Sequence, residues 1–170
     1  LLDGQQRLTT LFLITAIVRD LTPETNQSRI KVCTDAIFQM EVPDYNIPER
    51  IRILFDIRPN VKKFVDEYVK TTGATRMQND LFQLTQDNEV DISIRNMAHA
   101  MITINQYFSN GHSIDGFFKY LSSNVLMIYV AAEELEDAFH LFTVMNNRGI
   151  KLRNSDILKA ENLAIIADEK

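Results

Sequence analysis

The sequence predicts a mainly α-helical protein with two short β-strand candidates, and three observations carry that expectation. Apolar residues recur at helical spacing along most of the chain, most cleanly at Val61, Phe64, Val65, Tyr68 and Val69. Only Arg50–Phe55, which alternates before an apolar run, and Val125–Val130, a compact apolar block, look like strands. Residues that start and stop helices fall between the periodic stretches, where such residues belong.

Residues 8–20 predict the first helix, with Leu8, Leu11, Phe12, Ile14, Ile17 and Val18 forming an apolar face broad enough for burial on more than one side. Pro23 ends it, because the residue before a proline is pushed out of helical geometry. A second helix is expected over 28–39, on Ile30, Cys33, Ile37 and Phe38, followed by a loop holding Pro43 and Pro48. After the strand candidate come a helix over 60–71 and a polar stretch, 71–91, read as loop apart from a small apolar cluster near Leu81. Ile94, Met97, Ala98, Met101, Ile104, Tyr107 and Phe108 stripe a helix that stops near Asn110-Gly111. Ser113 is placed to cap a short helix carrying Ile114, Phe117, Phe118 and Leu121. Beyond the second strand candidate, 133–147 predicts a helix ended by Arg148-Gly149, and Ser155 opens the last one.

Composition narrows the function classes. A chain of 170 residues, 45% hydrophobic and 24% charged, suits a single domain over 1–170 and argues against wholesale disorder. The absence of any apolar run near 18 residues argues against a transmembrane span, which leaves a cytoplasmic protein as the expectation. One cysteine, Cys33, permits no intrachain disulfide and no multi-cysteine zinc site. With 18 basic and 23 acidic residues the formal charge is -5, unfavourable to a uniformly basic nucleic-acid surface though compatible with a local patch. The chain opens Leu1-Leu2-Asp3-Gly4-Gln5-Gln6-Arg7, without the pattern of a signal peptide, and is read as a piece of a longer protein.

Two polar islands stand apart from ordinary solvated faces. In the first, Asp3 and Gln6 have the spacing of a capping box, and Gly4 permits close backbone approach. A helix start of this kind offers backbone N–H groups and a positive dipole end, to which Arg7 adds a guanidinium suited to phosphate or carboxylate. Gln5 and Gln6 can donate and accept toward a sugar, a base or another segment. The competing reading is that Asp3 and Gln6 only cap the helix while Arg7 pairs with a local carboxylate. The second island runs from Met145 to Asp156 and places Arg148, Lys151, Arg153 and Lys159 near one turn. Asn147, Arg148, Lys151 and Ser155 would suit an anion-binding wall; the competing reading is turn chemistry, with Gly149 leaving a helix and Ser155 or Asn154 capping the next. Lesser candidates are read structurally. His99 and His140 are packing or surface residues, His112 is an exposed turn residue, and Glu133, Glu134, Glu136 and Asp137 offset a helix dipole. Cys33 is a small buried group, and Arg58 reaches a site or braces a turn.

The run Leu2-Asp3-Gly4-Gln5-Gln6-Arg7-Leu8-Thr9-Thr10-Leu11, with Phe142–Leu152 and Ser155–Ala160 in the expected order behind it, resembles the N-terminal domain of GmrSD-type, modification-dependent restriction systems. That family is in turn similar to the ParB/sulfiredoxin-like superfamily, so the chain is expected to be the helical part of an α+β domain. The resemblance implies a nucleotide-binding and hydrolysis centre with Asp3, Gln6 and Arg7 as the catalytic group. Gly4, Gln5, Arg7, Asn147, Arg148, Ser155 and Lys159 would contact the nucleotide, and Asp3 would position a divalent ion such as Mg2+ or a water. It also implies DNA as a partner of the full-length protein, through a C-terminal nuclease domain whose cutting is controlled by NTP hydrolysis. Strands that precede the motif in the family are missing before Leu1, and an isolated 1–170 piece is expected to be inactive. Two alternatives stay open: a non-catalytic DNA- or protein-binding module, which allows oligomerisation, and a metal-dependent DNA nuclease.

Overall fold

The computed structural model describes residues 5–55 and 58–127. Backbone contacts divide the chain into two compact units, Gln6–Val125 and Leu1–Gln5 with Leu126–Lys170, and the fold below is that of the first.

It is mainly helical. The described residues form six α-helices, α1 (Gln5–Leu21), α2 (Gln27–Ile37), α3 (Pro59–Val65), α4 (Gln78–Gln86), α5 (Ile92–Ser109) and α6 (Ile114–Asn124), and two short strands, β1 (Phe38–Gln39) and β2 (Arg50–Ile51). The strands pair antiparallel, Phe38 opposite Ile51 and Gln39 opposite Arg50. The ribbon extends toward its tip through a second bridge, where the amides of Val42 and Ile47 donate to each other's carbonyls at 2.9 and 3.2 Å.

The broad apolar face of α1 is real: Phe12, Leu13, Ala16, Ile17 and Val18 are buried, and Thr22 returns its hydroxyl to the Val18 carbonyl at 2.6 Å ahead of Pro23. All five residues of the cleanest periodic stretch, Val61 to Val69, are buried. That stretch is not one α-helix, however. α3 widens at Asp66–Lys70 into a π turn, an insertion that periodicity does not distinguish from a continuing helix. Side chains cap three helices. Asn26 accepts from the Arg29 amide, Asp91 from Ser93 and Ser113 from Gly116, the last as its position predicted. Gly111, with φ +93°, releases the chain from α5, a conformation that costs a glycine little.

Three sequence expectations are revised. The stretch 71–91 is not simply loop, since α4 lies within it and drives Leu81 fully into the core. Leu81, Phe82 and Leu84 among Gln, Asn, Asp and Thr over nine residues give too short an apolar stripe to register as a helix. The helix expected over 28–39 ends at Ile37, and Phe38–Gln39 becomes the strand that Arg50–Ile51 needs as a partner. The strand expected over 50–55 is only two residues long. Of the other strand candidate, Val125–Met127 are exposed and outside any strand, and the remainder lies outside the described residues. The helices expected over 133–147 and after Ser155 also lie outside them.

Candidate functional site

α1 begins at Gln5, so Gln5, Gln6 and Arg7 occupy its first turn rather than a loop ahead of it. All three are exposed, while Leu8 and Thr9 are half-buried and full burial starts at Phe12. The helix therefore crosses from solvent into the core over about one and a half turns, or roughly 8 Å of axis. Along this first stretch the Thr10 hydroxyl donates to the Gln6 carbonyl at 2.8 Å. Gln5 and Gln6 carry amide donors and acceptors and Arg7 a planar guanidinium, a donor set that matches phosphate oxygens. Asp3 and Gly4 lie outside the described residues, as do Asn147, Arg148, Lys151, Arg153, Ser155 and Lys159. The same holds for Glu133, Glu134, Glu136, Asp137 and His140. Among the described residues no group of three or more His, Cys, Asp or Glu is placed to hold a metal ion.

The opposite end of α1 is anchored by a buried polar network. Near its C-terminal end Arg19 and Asp20 are both buried and paired, Arg19 Nε to Asp20 Oδ1 at 2.7 Å. The guanidinium also donates to the Lys70 and Thr71 carbonyls at 3.2 and 3.0 Å, closing the end of the π turn. Asp20 Oδ2 accepts from the hydroxyl and amide of Thr75 at 2.7 and 3.2 Å. The Thr75 carbonyl accepts from Asn105 Nδ2 of α5 at 3.0 Å. One polar chain thus ties α1, the π turn, the 74–76 turn and α5 together. Nothing in the sequence marked it: Arg19 and Asp20 are simply the last residues of the helix expected over 8–20, and only the tertiary fold reveals that both are dry.

The lesser candidates fall where expected. His99 is exposed on α5. His112 is exposed and lies flat against Tyr107, with ring centroids 3.8 Å apart. That stack accounts for Tyr107, which the stripe placed inside but which remains exposed. Burial pushes the Cys33 thiol above its usual range, against the opposing pull of Arg29 and Arg19, the wrong direction for a nucleophile. Arg58 braces a turn: its guanidinium donates to Ser93 Oγ at 2.7 Å beside the N-terminus of α5.

These features define a class: a mainly helical α+β domain that presents an exposed Gln-Gln-Arg turn on a helix whose later turns enter the core. The chain belongs to the family of the GmrSD restriction endonuclease N-terminal domain, whose model matches residues 1–163. The recognition drawn from the Asp3–Arg7 motif is thereby established, with its restriction and defence context, and the helical architecture is consistent with a ParB/sulfiredoxin-like relationship. No curated protein and no solved structure matches the chain.

Proposed function

We propose that residues 1–170 form part of a nucleotide-binding, NTP-hydrolysing regulatory domain of a bacterial restriction or anti-phage defence protein, acting in the cytoplasm. The observation that carries this reading is the exposed Gln5-Gln6-Arg7 turn in a chain whose family match begins at residue 1 and includes the whole motif. Arg7 neutralises phosphate charge through paired N–H donors, and Gln5 and Gln6 orient the nucleotide by amide hydrogen bonds. Asp3 completes the catalytic group; Gly4, Asn147, Arg148, Ser155 and Lys159 complete the binding set on the family analogy alone. The donors of Gln5, Gln6 and Arg7 fit the phosphates of an NTP. A divalent ion accompanying that NTP, held through Asp3, would supply further charge neutralisation. DNA is the partner of the longer protein in this reading, engaged through a separate nuclease domain.

NTP hydrolysis by the full-length parent tests the proposal. Arg7→Ala is expected to lower turnover by about a hundredfold or more, in line with the loss of one well-placed transition-state donor. Circular dichroism should remain unchanged, because Arg7 is exposed. Undiminished hydrolysis by folded Arg7→Ala protein overturns the assignment. The protein-binding alternative has one observation in its favour, an exposed apolar hairpin remote in sequence from the motif.

A further inference from the structure

The β1–β2 ribbon ends in a tip that the fold leaves uncovered. Every residue from Met40 to Glu49 is exposed, yet the segment carries Met40, Val42, Tyr45 and Ile47. Tyr45 is 76% exposed and Met40 63%. Large apolar side chains gathered on one projecting turn are uncommon on a surface that stays in water, and they mark contact surfaces. The turn itself is well made. The Val42–Ile47 bridge closes it, and Asn46 takes the left-handed conformation, φ 52°, that asparagine tolerates better than most residues. An isolated two-stranded ribbon is marginal by itself, so a projecting one gains from being covered.

Charge indicates what covers it. The tip holds Glu41 and Asp44 and no basic residue, while Glu49 lies beside Arg50 toward the base. The base of the same ribbon is basic. Arg50 lies in β2; Arg52 follows it, with its guanidinium donating to the Asp35 carbonyl and to Gln39 Oε1, both at 3.0 Å. Lys70 extends across the Phe38 ring of β1, with Nζ 4.3 Å from the centroid. Of the nearby carboxylates, Asp35 is already paired with Lys31 at 2.8 Å, and Asp66 and Glu67 sit on the π turn with Lys70. The Val42–Ile47 bridge lies three residues beyond the Gln39–Arg50 pair, roughly 10 Å of extended chain, and the 43–45 turn carries Asp44 past it. A ribbon that is acidic and apolar at one end and basic at the other is complementary to itself when reversed. Two copies laid antiparallel set each tip over the other's base, and the two contacts are equivalent under a two-fold axis.

We infer that the 38–52 ribbon is a self-association surface through which two copies of this chain form a symmetric, salt-sensitive dimer. Light scattering after size exclusion on the full chain tests this. At low ionic strength and micromolar concentration a dimer is expected, dissociating as salt is raised. Tyr45→Asp, and the tip-reversed double variant Glu41→Lys with Asp44→Lys, should each be monomeric with unchanged circular dichroism. The base-reversed double variant Arg50→Glu with Lys70→Glu should also be monomeric. Mixing the tip-reversed and base-reversed chains should restore a dimer, because both inter-ribbon contacts are then again between opposite charges. A wild-type chain that stays monomeric overturns the inference. So does a dimer that survives tip reversal, or a mixture of the two reversed chains that fails to associate. Hydrogen-exchange protection of 40–49 in a wild-type monomer would place the tip against the chain's own residues, and also overturns it.

Discussion

Arg19 and Asp20 are neighbours in sequence, and both side chains are sealed from water at the end of α1. A buried ion pair is not by itself evidence of stability, since desolvation offsets much of the attraction. Here the remaining donors and acceptors are also used: the guanidinium reaches two carbonyls, and the carboxylate takes two bonds from Thr75. Removing one charge is therefore more damaging than removing both. Asp20→Asn keeps an oxygen for Thr75 but leaves the Arg19 cation uncompensated, and is expected to cost about 3 kcal/mol. In a chain of this length the midpoint of thermal unfolding should fall by on the order of 10 °C. Adding Arg19→Met to Asp20→Asn should recover part of that loss. A melting curve unchanged by Asp20→Asn would mean that the network contributes little.

At the scale of elements, α4 shows how one residue docks a helix that local sequence barely specifies. Its nine residues include Leu81 as the single fully buried side chain, with Phe82 exposed and Leu84 half-buried, and it packs chiefly on α5. A helix this short is marginal without tertiary contact. Leu81→Ala is accordingly expected to cost about 2–5 kcal/mol. Amide exchange across 78–86 should accelerate more than that of α1 or α5. Equal acceleration everywhere would show that α4 unfolds only with the whole core. The contrast with α3 explains what was legible. Val61, Phe64, Val65, Tyr68 and Val69 announce a buried face on their own, and all are buried. Phe38–Gln39 announced nothing: two residues at the end of a helical pattern become a strand only because Arg50–Ile51 lies alongside. Of the first polar island, Gln5, Gln6 and Arg7 are helical, while Asp3, the proposed cap, lies outside the described residues. The buried network at Arg19 and Asp20 was not legible, because burial of a charged pair is a property of the assembled core.

For the molecule as a whole, the described interior and the described surface should respond differently to salt. The core joins apolar residues of α1, α2, β2, α3, the π turn, α4 and α5, and its buried ion pair is shielded from counterions by the protein around it. Ion pairs that brace helices include the exposed Lys31–Asp35 within α2 and Arg29–Asp115 between α2 and α6, in which Arg29 is half-buried and Asp115 exposed. An exposed pair such as Lys31–Asp35 contributes about 0–1 kcal/mol. The aromatic contacts at the α5–α6 turn, Phe108 and Phe117 edge-to-face at 5.3 Å and Arg29 over Phe118, add packing that does not depend on mobile ions in the same way. Screening also relieves the mutual repulsion implied by a net charge of -5. Raising NaCl from about 0.05 to 0.5 M shortens the Debye length from roughly 14 to 4 Å, enough to suppress contacts between exposed charges on separate copies. The expectation is a thermal midpoint that shifts by no more than about 2 °C across that range, within the scale of one weak surface pair. Tyr45→Asp protein provides the reference, because its melting is that of the monomer at every salt concentration. A steep fall in its midpoint with salt would show that exposed charge pairs, rather than the apolar core and the Arg19–Asp20 network, hold this domain together.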